Sequence, residues 1–273
     1  MQEGNCQLDF EEIKSSFLFY KTITSQYEDP RVLGAVRNIV PGEILNGNFM
    51  PSLLKWYKEF MTWTPSQMVC NRCSTESQPC FMHASVHTGK SWQVRKTEIH
   101  ACNRCGAEKV IPRHSDVLKI AETRYGRCGE WSILFGAILK SLSIESRIAY
   151  DYLDHCWNEA LLEGRWVHID STFQYPYSLD NPHYYERNWK KQYIYIFAFS
   201  KSGFEDVTAR YSDHMPVVLS RRKSLGRVGN LDMGSVSDLE YLYGKIPSLY
   251  EMRVPEGLHR GDTEGSPSGP WEE

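Results

Sequence analysis

Two Cys-x-x-Cys pairs constrain this chain more than any other feature: Cys70-Asn-Arg-Cys73 and, beyond residues 74–101, Cys102-Asn-Arg-Cys105. Two such knuckles bring four thiolates to tetrahedral reach of one ion, which suits a closed structural zinc site. Disulfides or free core cysteines are the alternatives. Two segments far apart in sequence must then meet, and the stretch between them loops out, being longer than in a compact ribbon. The flanks read as a hairpin, with Val94–Ala101 extended into Cys102 and Gly106 turning the chain toward Lys109-Val110-Ile111. Cys80 inside the gap is a spare ligand candidate, and His83, His87 and His100 are weaker ones. Four sulfurs leave no open position for water or substrate, so the ion would be structural.

A second pattern carries chemistry. From Cys128, apolar residues recur at Trp131, Leu134, Phe135, Ile138, Leu139 and Leu142, the spacing of a buried helical face. Cys128 thus falls at a helix N-terminus, where unpaired N–H groups and the helix dipole favour thiolate over thiol. A free cysteine titrates at about 8.5, and such settings bring it to roughly 3.5–7.5.

Downstream, Glu145–Asp151 reads as a strand, followed by Asp154-His155-Cys156-Trp157 and Trp166-Val167-His168-Ile169-Asp170-Ser171. Glu163-Gly164 is a tight-turn candidate between the last two. A two-residue loop there pairs Leu162 with Arg165 and Trp157 with Asp170, leaving His155 diagonal to Asp170 on one face. A slip of one residue would separate them. The roles that follow are Cys128 as nucleophile, His155 as base then acid, and Asp170 orienting His155. Each residue alone has an ordinary reading: a core thiol, a loop histidine, a turn aspartate. Their order, on elements able to converge, favours catalysis.

Composition narrows the setting. Eight cysteines, four of them in zinc-type pairs, argue for a reducing compartment, cytoplasmic or also nuclear. Met1–Lys14 has no signal-peptide run, and no stretch is long and apolar enough to span a bilayer. The net charge of −3 gives no basic footprint for nucleic acid, and Arg221-Arg222-Lys223 reads as solvated loop charge. The organisation expected is a helical N-terminal region (1–65), a zinc-binding lobe (66–115), a catalytic core (116–211) and a C-terminal extension (212–273). Ile13, Phe17, Tyr20 and Thr24 share one helical face, and Leu53, Leu54, Tyr57, Phe60 and Met61 another. Gln192–Ser200 reads as a buried strand, Val236–Ile246 as a short helix, and Glu256–Glu273 as disordered.

These residues also carry a family resemblance. Glu122-Thr-Arg-Tyr-Gly-Arg-Cys128-Gly-Glu-Trp131, Asp154-His155-Cys-Trp157, Trp166-Val-His-Ile-Asp170-Ser171, Asn188-Trp189-Lys190-Lys191 and Asp206-Val-Thr-Ala-Arg-Tyr211 resemble, with the zinc knuckles, the cytoplasmic peptide:N-glycanases. The resemblance covers about residues 30–211. It implies an α+β fold: a transglutaminase-like core of the papain-like cysteine protease type, with an inserted zinc-ribbon-like lobe and a helical N-terminal region. It implies hydrolysis of the amide between asparagine and the first N-acetylglucosamine of misfolded glycoproteins, linked to ER-associated degradation. The resemblance also implies that an upstream tryptophan, here Trp63, joins the Cys128 N–H in holding the oxyanion, with core packing as its alternative. Arg147, Trp157, Glu159 and Trp166 match positions near the family's cleft. Each has a structural alternative, Arg147 as a surface strand charge and Trp157 with Trp166 as a cross-strand pair. Where yeast-type members have a glutamate, this chain has Phe173. A minimal form is implied, without an added N-terminal adaptor or C-terminal mannose-binding domain, and a proteasome-shuttling ubiquitin receptor as partner. The rival readings are a transglutaminase-type cross-linker, a catalytically silent zinc scaffold and, on triad order alone, a cysteine protease.

Overall fold

The computed structural model describes residues 10–65, 68–80 and 94–224. Three helices open it: α1 (Phe10–Gln26), α2 (Pro30–Ile39) and α3 (Phe49–Phe60). α2 begins where the Asp29 side chain accepts the Arg31 N–H and Pro30 occupies the first turn, a position that needs no N–H donor. Of the expected faces, Phe17, Tyr20 and Thr24 on α1 and Leu53, Leu54, Tyr57 and Met61 on and after α3 are buried, Phe60 is half-buried, and the Ile13 side chain lies outside what the structure describes.

The metal-knuckle lobe follows. After β1 (Thr62–Trp63), strands β2 (Met68–Val69), β3 (Glu76–Cys80), β4 (Val94–Ala101) and β5 (Glu108–His114) form an antiparallel sheet in chain order. α4 (Val117–Thr123) and β6 (Tyr125–Gly126) return the chain, with β6 pairing parallel to β1. α5 (Cys128–Ser141) then runs through the core, and all its residues from Glu130 to Leu139 are buried.

Strands β7 (Ser146–Asp151), β8 (His155–Leu162) and β9 (Arg165–Ile169) precede α6 (Tyr184–Asn188). β10 (Ile196–Ser200), β11 (Gly203–Asp206), α7 (Thr208–Tyr211) and α8 (Met215–Ser224) complete the described chain. The five strands form one antiparallel sheet, ordered β11-β10-β7-β8-β9. Alternation along the strands separates two faces. Ile148, Ala160, Val167, Ile169, Phe197 and Phe199 share the main core with α5 and the N-terminal helices. Ala149, Trp157, Ile196 and Ala198 pack against Tyr185, Tyr193, Tyr211 and Val218 on the other. Each large apolar side chain so buried contributes roughly 1.5–3 kcal/mol.

Two expectations need correction. Arg221-Arg222-Lys223 is not loop charge but the end of α8: the Arg222 guanidinium lies 4.0 Å over the Tyr195 ring and 2.8 Å from Asp206. The strand read as Gln192–Ser200 begins only at Ile196, because the carbonyls of Tyr193 and Ile194 accept from Arg221 and Arg222 rather than from a neighbouring strand. Val236–Ile246 and Glu256–Glu273 lie outside the described residues. No helix among the described residues is long and apolar enough to cross a membrane.

Candidate active site

Cys128 is the first residue of α5, and the structure fixes that helix end from several sides. The Glu130 carboxylate accepts the Arg127 N–H at 3.0 Å, closing the first turn. Tyr57, Asn158 and Tyr27 donate to the carbonyls of Trp131, Ser132 and Ile133 at 2.8, 3.0 and 2.7 Å. A helix so pinned cannot slide or rotate, and its half-buried thiol is held in place. The Cys128 pKa lies well below the ordinary thiol value, chiefly through a hydrogen bond with Cys156, with His155 assisting and burial opposing.

The β8–β9 hairpin supplies the partners. Glu163 and Gly164 both take positive φ (50° and 80°), the mirror-image turn that suits a two-residue loop. Leu162 pairs with Arg165 and Asn158 with Ile169, the register expected from the sequence. His155 Nε2 consequently lies 2.7 Å from Asp170 Oδ2. Burial would lower the imidazole pKa, but the Asp170 charge overrides it and raises it to about 10. Burial would raise Asp170, and the His155 charge instead holds it down at about 2. Thr172 donates to the other oxygen from both its N–H (2.9 Å) and its hydroxyl (2.6 Å). Lys191 clamps the turn before His155, donating to Asp151 Oδ2 at 2.7 Å and the Leu153 carbonyl at 2.8 Å.

Sequence reasoning missed the aromatic shell of this pair. Tyr185 from α6 donates to Asp170 Oδ2 at 2.8 Å. The half-exposed Trp189 ring stands 5.1 Å from the His155 ring, and Phe173 packs 5.6 Å from Trp189 and 4.7 Å from Tyr184. The Phe173 position therefore presents an apolar ring to the site. Trp189 and Lys191 sat in a quoted motif, whereas Tyr185 had no signal beyond its type.

The remaining candidates occupy two places. Trp63 is exposed beside the α5 N-terminus, because β1 pairs it with Gly126, and its ring lies 6.3 Å from Trp131. Trp157 and Glu159 are fully buried behind His155. Trp157 Nε1 donates to the Tyr211 hydroxyl at 2.8 Å, which in turn donates to Glu159 at 2.7 Å. Arg147 faces Glu159 across the strands at 2.6 Å and covers the Trp166 ring at 4.1 Å. Trp166 itself stands opposite Leu161, so Trp157 and Trp166 do not form a cross-strand pair.

In the lobe, Cys70, Cys73, Cys102 and Cys105 gather their sulfurs within 4.8 Å of one another. The Cys70–Cys105 and Cys73–Cys102 separations of 3.6 and 3.4 Å approach the roughly 3.8 Å edge of a tetrahedron with bonds of about 2.3 Å. Both knuckles fold alike: Ser74 N donates to the Cys70 carbonyl and Gly106 N to that of Cys102, each from a positive φ (56° and 68°). This donor set fits a metal ion. Cys80 ends β3 and His83 and His87 lie outside the described residues, while His100 is buried beside Glu98.

A buried charge cluster joins lobe to helix. Arg113 from β5 donates to both oxygens of Glu130 at 2.7 and 2.5 Å and to Glu98 from β4 at 2.5 Å. Arg127, the residue before Cys128, meets the same Glu98 at 2.9 Å. Buried charges persist only when paired in this manner.

Known proteins agree with this construction. A family model described as the transglutaminase-like superfamily matches residues 82–171. The peptide-N(4)-(N-acetyl-beta-glucosaminyl)asparagine amidase of Eremothecium gossypii is 32% identical over 255 residues, covering 87% of this chain and 68% of that protein. The amidase of that name from Oryza sativa subsp. japonica is 35% identical over 72% of this chain, and the one from Rattus norvegicus is 37% identical over 80%. The chain spans about half the length of the rice relative (48%) and about a third of the rat one (35%). Among solved structures, a Rad4-Rad23 complex bound to a 6-4 photoproduct UV lesion reaches a TM-score of only 0.44 at 12% identity, over 88% of this chain and 61% of that one, too distant to argue from. A Cys-His-Asp cluster on a helix and hairpin, a four-cysteine lobe and identity above 30% across most of the chain lead to one assignment: the chain belongs to the peptide-N(4)-(N-acetyl-beta-glucosaminyl)asparagine amidase family, on a transglutaminase-like α+β fold.

Proposed function

We propose that this protein hydrolyses the amide joining an asparagine side chain to the first N-acetylglucosamine of an N-glycan. The observation that carries the reading is Cys128 at a helix N-terminus beside His155, whose imidazole meets the buried Asp170 carboxylate at 2.7 Å. Cys128 thiolate attacks the amide carbonyl, and the charge that develops on oxygen meets the N–H groups at the start of α5. Trp63, exposed beside that helix end, is the second donor candidate. The C–N bond then breaks as His155 gives its proton to the departing nitrogen, releasing a glycosylamine and leaving a thioester on Cys128. Water, losing a proton to the same imidazole, cleaves the thioester and leaves aspartate where asparagine stood. Asp170 keeps the imidazole aimed throughout.

The ion we assign to Cys70, Cys73, Cys102 and Cys105 is zinc, in a structural role. Four sulfur ligands would complete its coordination shell, and it would shape the lobe adjoining α5 without joining the chemistry. Free thiols in this number suit a reducing compartment such as the cytosol, where misfolded glycoproteins exported from the endoplasmic reticulum are the substrates expected.

Mass spectrometry of a denatured N-glycoprotein after incubation tests the proposal. The intact protein should release the whole glycan and convert asparagine to aspartate, and Cys128→Ala should do neither. Amine cross-linking without glycan release would replace this reading with a transglutaminase one.

A further inference from the structure

Behind Asp170 lies a hydrogen-bond chain whose donors and acceptors follow from its partners. Asp170 is ionised, so the Tyr185 hydroxyl at 2.8 Å from Oδ2 must donate to it. That hydroxyl has one proton, so it accepts from the next group, His168 Nε2 at 2.7 Å. His168 Nδ1 in turn accepts the Asn181 backbone N–H at 3.2 Å. The tautomer of His168 is thereby fixed as neutral, protonated on Nε2. Tyr185, His168 and Asp170 are each at most 1% exposed, so the links among these three are shielded from solvent.

We infer that His168 and Tyr185 are positioning residues: a one-way donor chain, Asn181 to His168 to Tyr185, aims the Asp170 carboxylate at His155. The inference rests on the reading of His155 as the acid–base group. Asp170 Oδ2 receives two donors, His155 and Tyr185, while Oδ1 is taken by Thr172, so the carboxylate cannot rotate without breaking a bond. His168 acts only through Tyr185. The other ionisable groups facing the pair and its donor chain are Cys128 on α5, Cys156 on β8, Asp151 on β7, Asp154 before β8, Lys58 on α3, Lys191 through Asp151, Asp180 near His168, and Tyr193 and Tyr211 near Tyr185. None of them touches the Tyr185 hydroxyl, so changing that hydroxyl leaves them in place.

The test is the pH profile of Cys128 alkylation by iodoacetamide, read by mass on the Cys128 peptide of the full chain, which requires no glycan. Tyr185→Phe keeps the ring against Trp157 and removes only the donor. A carboxylate deprived of that donor is a stronger base and holds the His155 imidazolium more firmly, so the alkaline limb, where the imidazolium gives up its proton, should move to higher pH. Where glycan release is measurable, kcat should fall about tenfold or more with KM little changed, as expected for losing a hydrogen bond to a charged group. His168→Leu should shift the limb in the same direction, and His168→Gln, which restores a donor near Nε2, should recover it. Tyr185→Phe combined with His168→Leu should shift it no further than Tyr185→Phe alone. Wild-type limbs in both single variants would overturn the inference and leave the aromatic groups as packing. A shifted limb in a protein that releases no glycan would support the chain and remove only the substrate reading. An ordinary thiol titration of Cys128 in the unaltered protein would overturn both.

Discussion

Arg113 and Glu130 meet through paired hydrogen bonds of 2.7 and 2.5 Å, so a strand of the four-cysteine lobe grips the first turn of the helix that begins with Cys128. Glu130 simultaneously caps that helix through the Arg127 N–H. Lobe and nucleophile therefore share one carboxylate. Removing Arg113 strands the buried Glu130 carboxylate, while Glu98 keeps Arg127 at 2.9 Å. Arg113→Ala should cost about 3–5 kcal/mol in urea unfolding, the range for breaking one partner of a buried pair. A loss below about 1 kcal/mol would mean that the cluster is already solvated.

Gly126 is crowded by the same carboxylate. A Cβ there would stand 2.3 Å from the Glu130 Cβ, closer than carbon atoms approach. Gly126→Ala should lower stability by about 1–3 kcal/mol through overpacking and slow Cys128 alkylation as the helix end shifts. Unaltered melting and alkylation would show that Glu130 can step aside.

The two knuckles differ at one informative place. Both turn through positive φ after their second cysteine, with Gly106 in one and Ser74 in the other. A left-handed conformation costs an L-residue roughly 1–2 kcal/mol, and glycine is nearly free of that cost. Ser74→Gly should therefore raise the melting temperature of the metal-loaded protein. A lowered one would show that the serine side chain contributes more than its backbone costs.

Stripping the metal is the coarser test of the lobe. Thiolates crowded within 4.8 Å need a cation to hold them, so a strong chelator should unfold the lobe. Through Arg113 and Glu98, loss of the lobe should also slow Cys128 alkylation. Equal melting temperatures with and without chelator would argue against a structural ion.

The His155–Asp170 pair gives stability a defined pH window. His155 is raised from an unfolded value of about 6.5 to about 10, so its contribution is complete below about 6.5 and is lost as pH climbs toward 10. Asp170 is lowered from about 3.9 to about 2, so its contribution is present above about 3.9 and is lost as pH falls toward 2. The pair therefore stabilises most between about pH 4 and 6.5. The difference in unfolding free energy between the unaltered protein and Asp170→Asn should peak there and shrink toward alkaline pH. A difference independent of pH would separate Asp170 from the imidazole.

The parts legible in sequence were those set by local periodicity. The helical face after Cys128, the knuckles and the two-residue turn at Glu163-Gly164 each follow from neighbours a few positions away, and the turn alone fixes the His155–Asp170 diagonal. What stayed hidden depends on long-range packing. Nothing near Tyr185 says that its hydroxyl will meet Asp170, and nothing near Arg113 says that it will meet Glu130. Arg222 reads as solvated because its partners, Asp206 and the Ile194 carbonyl, come together only when α8 folds back on β10 and β11. Glu159 reads as a cleft acid for a similar reason, since Arg147 on β7 and Arg210 and Tyr211 on α7 surround it from two distant segments.

The short parallel pairing of β1 with β6 brings residues 62–63 and 125–126 side by side, with hydrogen bonds from Thr62 N to Arg124 O (2.7 Å) and Thr64 N to Gly126 O (2.8 Å). The polypeptide thus leaves for the lobe and comes back through the same doorway, two residues ahead of the nucleophile. Growth or shrinkage of the segment between the knuckles need not be felt at Cys128, since each doubling of a flexible loop costs only about 0.6 kcal/mol. Residues added between β3 and β4 leave the reacting sulfur at its address so long as Glu98 stays against Arg113 and Arg127.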